Sequence, residues 1–405
     1  MNQECQTIPN GTITSPQGFL AGAGYAGLKL PAEGVLDLGL LYSEVPCVAA
    51  GVFTTNKVKA APVLLCQDRL IKTRAQALVV NAGCANACTG QQGMANAIEM
   101  AELAAARLGI DAGEVLVSST GVIGVPLPME PIRDAVGEIV LSHKGGHALA
   151  RAIMTTDTFP KEIAVSLGLG DRVITVAGVA KGAGMICPDM ATLLAFITTD
   201  AALDASLART ALQKSVDESF NMIAVDNDTS TNDMVLLLAN GLAGNEPLQV
   251  GSAEANLFQE ALCEVCLHLA KHIARDGEGA TKLLQVYVEG ALTLKEARLA
   301  ARTVATSSLV KAALHGSDPN WGRILAALGR SGAEIDLLKT DLYLEELCLL
   351  LNGCPAPFNE KEAKRFLDNA EVHIRICLNL GEESATAWGC DLSEEYVTIN
   401  SDYVT

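Results

Sequence analysis

The chain has 405 residues, 49% hydrophobic but only 4% aromatic and 19% charged, so its interior is built from Ala, Val, Leu and Ile, and disorder as the dominant state is excluded. With 47 acidic against 29 basic residues the formal charge is −18 and the basic residues are scattered, which argues against a nucleic-acid partner. No apolar stretch approaches the roughly 20 residues of a membrane span, and MNQECQTIPNGTITSPQGF has neither a basic nor an apolar leader region, so a cytoplasmic protein without membrane association is expected.

In chain order, β-branched runs predict strands near 77–80, 114–117, 172–176, 234–238, 283–288 and 372–378. Ala-rich periodic segments predict helices over 95–108, 205–219, 253–275, 294–314 and 360–369. The mixture is α/β or α+β. The runs are apolar on both faces more often than alternating, which predicts sheets covered by helices on each side. Layers of helix, sheet, sheet and helix and a three-layer sandwich both fit. No linker divides the chain, although its length alone suggests two or three domains.

Twelve cysteines spread through the chain are read as reduced, mostly buried thiols rather than a disulfide framework. In CEVCLHLAKH, Cys263, Cys266, His268 and His272 imitate zinc ligands. However, Leu257, Ala261, Leu267, Leu269 and Ile273 carry a helical stripe through the segment, and a finger site needs a longer loop between its ligand pairs. A helix without metal is expected. GAGYAG at 22–27 matches G-x-G-x-x-G but lacks the preceding strand and following helix of a dinucleotide site. No cofactor is called for, and no histidine is paired with a Ser or Cys in a recognisable triad.

What remains is a set of hydroxyl-rich clusters: SSTGVIG at 118–124, MTTDTFPK at 154–161, DNDTSTND at 226–233 and DGEGATK at 276–282. Each alone reads as turn or cap chemistry. Between them, VAKGAGMICPDMATLLAFITTDA carries Thr192 at the entry to an apolar strand-like run, after a glycine-lysine loop. A threonine hydroxyl becomes a nucleophile without histidine if the chain is cut just before it, because the freed α-amine can take the hydroxyl proton. Gly182 and Gly184 could supply the tight turn this requires, and Thr120 with the Gly121 N–H could face an oxyanion. A buried strand threonine is the alternative reading.

The motifs STGVIG, IMTTDTFPK, AKGAGMICPDMATLLAF, SFNMIAVDNDTSTND, ARDGEGATK, HGSDPNWGRI and the ending YVTINSDYVT, in this order, resemble the ornithine acetyltransferase family. It is also called the glutamate N-acetyltransferase or arginine biosynthesis bifunctional family. The resemblance runs from about residue 18 to the end. It implies a precursor that cleaves itself between Ala191 and Thr192 into an α chain, 1–191, and a β chain, 192–405. It further implies a layered fold resembling N-terminal nucleophile hydrolases, and assembly from two copies of each chain.

The same resemblance places the nucleophile at Thr192, the oxyanion hole at Thr120 and Gly121, and substrate binding at Thr155, Lys181, Thr192, Glu278, Asn400 and Thr405. The implied reaction moves an acetyl group from N2-acetylornithine to glutamate, with acetyl-CoA a further donor in some relatives. An N-terminal-threonine amidase or aminopeptidase is the rival enzyme, and a non-catalytic binding protein the rival of another kind. Two positions depart from the family pattern: Asp189 stands where asparagine is common, and Asn227 where glycine is common. The first bears on the cleavage rate through the pKa of the nascent amine. The second keeps a residue tolerant of positive φ.

Overall fold

Alternation along the strands decides the layering. The computed structural model describes residues 5–187 and 193–402. Its first half runs β1 (Gln6–Thr7), β2 (Phe19–Gly24), β3 (Leu38–Phe53), α1 (Ala61–Arg69), β4 (Arg74–Cys84), α2 (Gly90–Leu108), β5 (Val115–Val122), α3 (Met129–Glu138), α4 (Gly146–Ile153), β6 (Lys161–Leu169) and β7 (Arg172–Lys181). The second runs β8 (Leu194–Thr199), α5 (Ala205–Glu218), β9 (Met234–Ala239), α6 (Ala253–Arg275), β10 (Leu283–Ala291), α7 (Leu294–Ala305), α8 (Ser308–His315), α9 (Trp321–Gly329), β11 (Asp341–Leu344), β12 (Leu347–Leu351), β13 (Cys354–Pro355), α10 (Glu360–Leu367), β14 (Glu371–Cys377), β15 (Glu383–Cys390) and α11 (Glu394–Asp402).

The larger sheet orders its strands β1-β6-β7-β8-β9-β3-β4-β5, with β2 also on β3. Long β3 belongs to two leaves. Its first part pairs with β2 and β4 and its last part, Val48 to Phe53, with β9, with a register shift between Tyr42 and Cys47. Because successive side chains point to opposite faces, Leu78, Val80 and Leu116 of one leaf meet Phe196, Leu236 and Leu238 of the other in a central core. Their neighbours Ala77, Val79, Val115 and Val117 face Met100, Ile132 and Val136 of α2 and α3. On the far side Ile197, Val235 and Leu237 face Leu212, Phe258 and Val265 of α5 and α6.

The order is therefore helix, sheet, sheet, helix, one of the two layerings the sequence allows. The strands are apolar on both faces, but one covering of each leaf is the other leaf rather than a second set of helices. The smaller sheet, β13-β12-β11-β14-β10-β15, shares the α6 core through Val286, Val288 and Trp388.

Helix α6 occupies the expected 253–275. Ser252 caps it by accepting from the Ala255 N–H, and Cys266 is fully buried on its apolar stripe, so the zinc-like segment is helical. The helix expected over 294–314 is instead two, α7 and α8. Ser307 takes extended backbone (φ −70°, ψ 113°) within the Thr306–Ser307–Ser308 run, whose side chains compete with helical hydrogen bonding. GAGYAG begins inside β2, where Gly22 pairs with Leu40 and a Cβ would stand 2.3 Å from the Val140 carbonyl oxygen, so Gly22 serves packing, whereas Gly27 takes positive φ (+77°). Among the described residues no helix is long and apolar enough to cross a membrane.

Candidate active site

The leaves deliver the polar clusters to one end of the molecule. Strands β4 and β5 run parallel, as do β8 and β9, while β7 is antiparallel to β8. The end of β7 therefore lies beside the start of β8: Lys181 pairs with Leu194, and Leu194 with Met234. A cavity of about 580 Å³, including its open mouth, is lined there by Thr120, Gly121, Thr155, Lys181, Glu278 and Asn400. These are all the expected site residues that the structure describes. Ala191, Thr192, Thr405 and the divergent Asp189 lie outside the described residues.

Each wall has a local cause. Thr120 and Gly121 close β5, where Gly121 has φ +126° and a Cβ would come 2.3 Å from the Gly83 carbonyl carbon, so only glycine permits this approach of β4 to β5. Asn232 holds this wall from the DNDTSTND cluster: its Nδ2 donates to the carbonyls of Ser119 (2.8 Å) and Ala85 (2.6 Å). The Ser119 hydroxyl in turn donates to Asn81 Oδ1 at 2.6 Å. Sequence reasoning singled out that cluster but gave Asn232 no role, because the bond spans 113 residues.

The turn after β7 is built differently from expectation. Gly182 does adopt positive φ (+152°), but Met185 (φ +57°), not Gly184, takes the left-handed conformation. Asp226 holds it there, accepting from the N–H groups of Met185 (2.6 Å) and Ile186 (2.9 Å). Burial nonetheless leaves the Asp226 carboxyl above its ordinary pKa. Gly184 serves another end: a Cβ on it would stand 2.3 Å from the Glu278 carboxylate, which lies over the loop. Asn227 has φ +72°, as its tolerance of positive φ led one to expect.

Lys181 and Glu278 are not solvated charges; their residues are 8% and 9% exposed. Asn400 of α11 donates to Glu278 Oε2 at 2.7 Å, and the Glu278 N–H donates to the Ala183 carbonyl at 2.9 Å. Burial lowers the Lys181 pKa, opposed by Asp157, Asp233 and Glu278 and reinforced by Lys161. Burial also drives the Asp233 carboxyl well above its usual range despite Lys181 and the polar groups of Ser230 and Leu193 around it. The cavity thus combines a desolvated amine, a carboxylate braced by an amide, and backbone positioned by glycine. That set suits an amino-acid substrate, with its carboxylate and amine.

Comparison with known proteins agrees with this chemistry. The sequence matches the ArgJ family over residues 20–405. It is 54% identical over 406 residues to the arginine biosynthesis bifunctional protein ArgJ of Dehalococcoides mccartyi, covering 100% of both chains. It is 55% identical over 397 residues to the ArgJ of Symbiobacterium thermophilum, covering 98% of this chain and 99% of that one. A crystal structure of ArgJ from Bacillus halodurans superposes with a TM-score of 0.50 at 44% identity, over 51% of this chain and 97% of the solved chain.

Proposed function

The chain belongs to the ArgJ family and is an acetyltransferase of arginine biosynthesis acting on small molecules, and from that premise we propose that it transfers acetyl from N2-acetylornithine to glutamate through an acyl-threonine at Thr192. The observation that carries this reading is the convergence of Thr120, Gly121, Thr155, Lys181, Glu278 and Asn400, distant in sequence, on one cavity. The peptide bond between Ala191 and Thr192 breaks first, giving chains 1–191 and 192–405 that remain one body. Support comes from the strand order, since β7 and β3 precede the cut while β8 and β9 follow it. The solved B. halodurans chain, matched over 97% of its length by only 51% of this one, has the length such a cut would leave.

In the proposed reaction the freed α-amine of Thr192 takes the Oγ proton as Oγ attacks the acetyl carbonyl. Thr120 and the Gly121 N–H receive the oxyanion, the C–N bond breaks, and ornithine leaves with the proton on its amine. The α-amine of glutamate then attacks the threonine ester and carries the acetyl group away. Lys181 faces the substrate carboxylate as a point charge, Glu278 with Asn400 faces its amine, and Thr155 and Thr405 complete the binding groups. The word bifunctional in the relatives' names supports a second activity, and acetyl-CoA as a further donor belongs to the same reading. Assembly from two copies of each chain in the cytoplasm belongs to the same reading.

Amino-terminal sequencing of the purified protein is expected to give a second terminus, TLLAFITTDA, and radiolabelled N2-acetylornithine to yield acetylglutamate. Predominant release of free acetate would turn the reading to the amidase. Gly121→Ala is expected to lower kcat about 10²- to 10³-fold, as loss of one oxyanion donor does, because its Cβ collides with Gly83 and moves the backbone. Steady-state kinetics with intact cleavage checks it.

A further inference from the structure

Beneath the cavity lies an ionic cluster that the proposed reaction does not use. Lys161 is 1% exposed, and its Nζ stands 2.6 Å from both Asp157 Oδ1 and Asp276 Oδ2. Asp157 does more than pair with it. Its Oδ1 also accepts from the Gly182 N–H at 2.7 Å, and its Oδ2 from the Thr155 N–H at 3.0 Å. Asp276 accepts from the Thr158 N–H at 3.0 Å and from the Thr158 hydroxyl, two residues before Glu278. Thus one carboxylate, Asp157, touches the backbone of Thr155 and the residue next to Lys181, while its lysine partner ties in the loop that carries Glu278.

We propose that Asp157 is a positioning residue for the acetyl transfer, fixing the Thr155 and Lys181–Gly182 walls and supplying the negative charge that keeps Lys181 fit to receive a substrate carboxylate. This inference rests on the acetyl-transfer reading of the cavity. The arrangement of charge supports it. Asp157 is the carboxylate with the greatest influence on Lys181, ahead of Asp233 and Glu278; Lys161 opposes them, and Lys29 also faces Lys181. Burial would raise the Asp157 pKa, but Lys161, Lys181 and the Gly182 N–H outweigh it and hold the carboxyl at about 2, so it is an anion throughout the working pH range. A base whose pKa burial already lowers loses its charge as pH rises through that value. Removing the Asp157 charge lets Lys181 deprotonate at lower pH still.

The test is an NMR titration of the full chain with ¹³Cε-labelled lysine, the Lys181 resonance being assigned by its loss in Lys181→Arg. In Asp157→Asn the Lys181 midpoint is expected to fall by about one to three units, the range for loss of a close opposite charge. In Asp276→Asn, where the lost charge faces Lys161 rather than Lys181, it should fall by less than half as much. The alkaline limb of kcat/KM should move with it, and KM for glutamate should rise more than kcat falls. Asp157→Glu, which restores the charge, should return the limb toward wild type and serves if the asparagine variant does not accumulate. An unmoved Lys181 midpoint in Asp157→Asn, an equal fall in Asp276→Asn, or no recovery in Asp157→Glu overturns the proposal. Absence of acetyl transfer in the wild type would instead overturn the functional reading, and the lysine titration would still decide the role of Asp157.

Discussion

Thr192→Ala is expected to remain a single chain of 42.3 kDa on a denaturing gel and to lose acetyl transfer by at least about 10⁴-fold. Both losses share one cause. In the proposed mechanism the hydroxyl that attacks the Ala191 carbonyl during cleavage is the one that later attacks the acetyl carbonyl, and the amine that activates it exists only after the first attack. Wild-type protein should show two fragments of near-equal size. Thr192→Ser keeps a hydroxyl and should cleave in part and retain some turnover, so serine and alanine separate the chemical requirement from mere bulk. An alanine variant that transfers acetyl groups would overturn the nucleophile assignment.

Lys161→Met is expected to destabilise the protein by about 3–5 kcal/mol, the cost of leaving buried carboxylates without their cation. The methionine fills most of the volume but leaves Asp157 and Asp276 facing each other in a dry interior. Urea unfolding at neutral pH measures the loss. Its pH dependence identifies the cause. The Asp157 carboxyl is depressed to about 2, so its contribution to wild-type stability is full above the ordinary carboxylate pKa, near 3.9, and disappears as pH falls toward 2. The gap between wild type and Lys161→Met should therefore narrow over that acid interval. A gap that is constant with pH would mean that lost packing, not charge, sets the cost.

Much of this was legible in the sequence because it is local. Helix α6 followed from its apolar stripe, and the positive φ at Asn227 from residue type. The hydroxyl clusters that looked excessive for turns do line one cavity. What escaped was non-local or competitive. Lys161 and Asp276 are 115 residues apart, and nothing in either segment names its partner. Met185 adopts a conformation expected of glycine because Asp226, 41 residues on, accepts from its N–H. The division between α7 and α8 turned on three consecutive hydroxyl residues, to which the apolar periodicity is blind.

The seating of β8 and β9 between β7 and β3 bears on what the proposed cleavage would do to refolding. In the larger sheet β8 and β9, which follow the proposed cut, lie side by side between β7 and β3, which precede it, so the two polypeptides of the proposed cleavage would be held together by shared ladders rather than by a surface contact. An uncut chain folds as a unimolecular event. Once cut and fully denatured, the halves must meet again by diffusion, and their recovery on dilution should slow as protein concentration falls. Cleavage as proposed would thus make assembly a one-time act, performed while a covalent tether still guarantees the stoichiometry of the two halves.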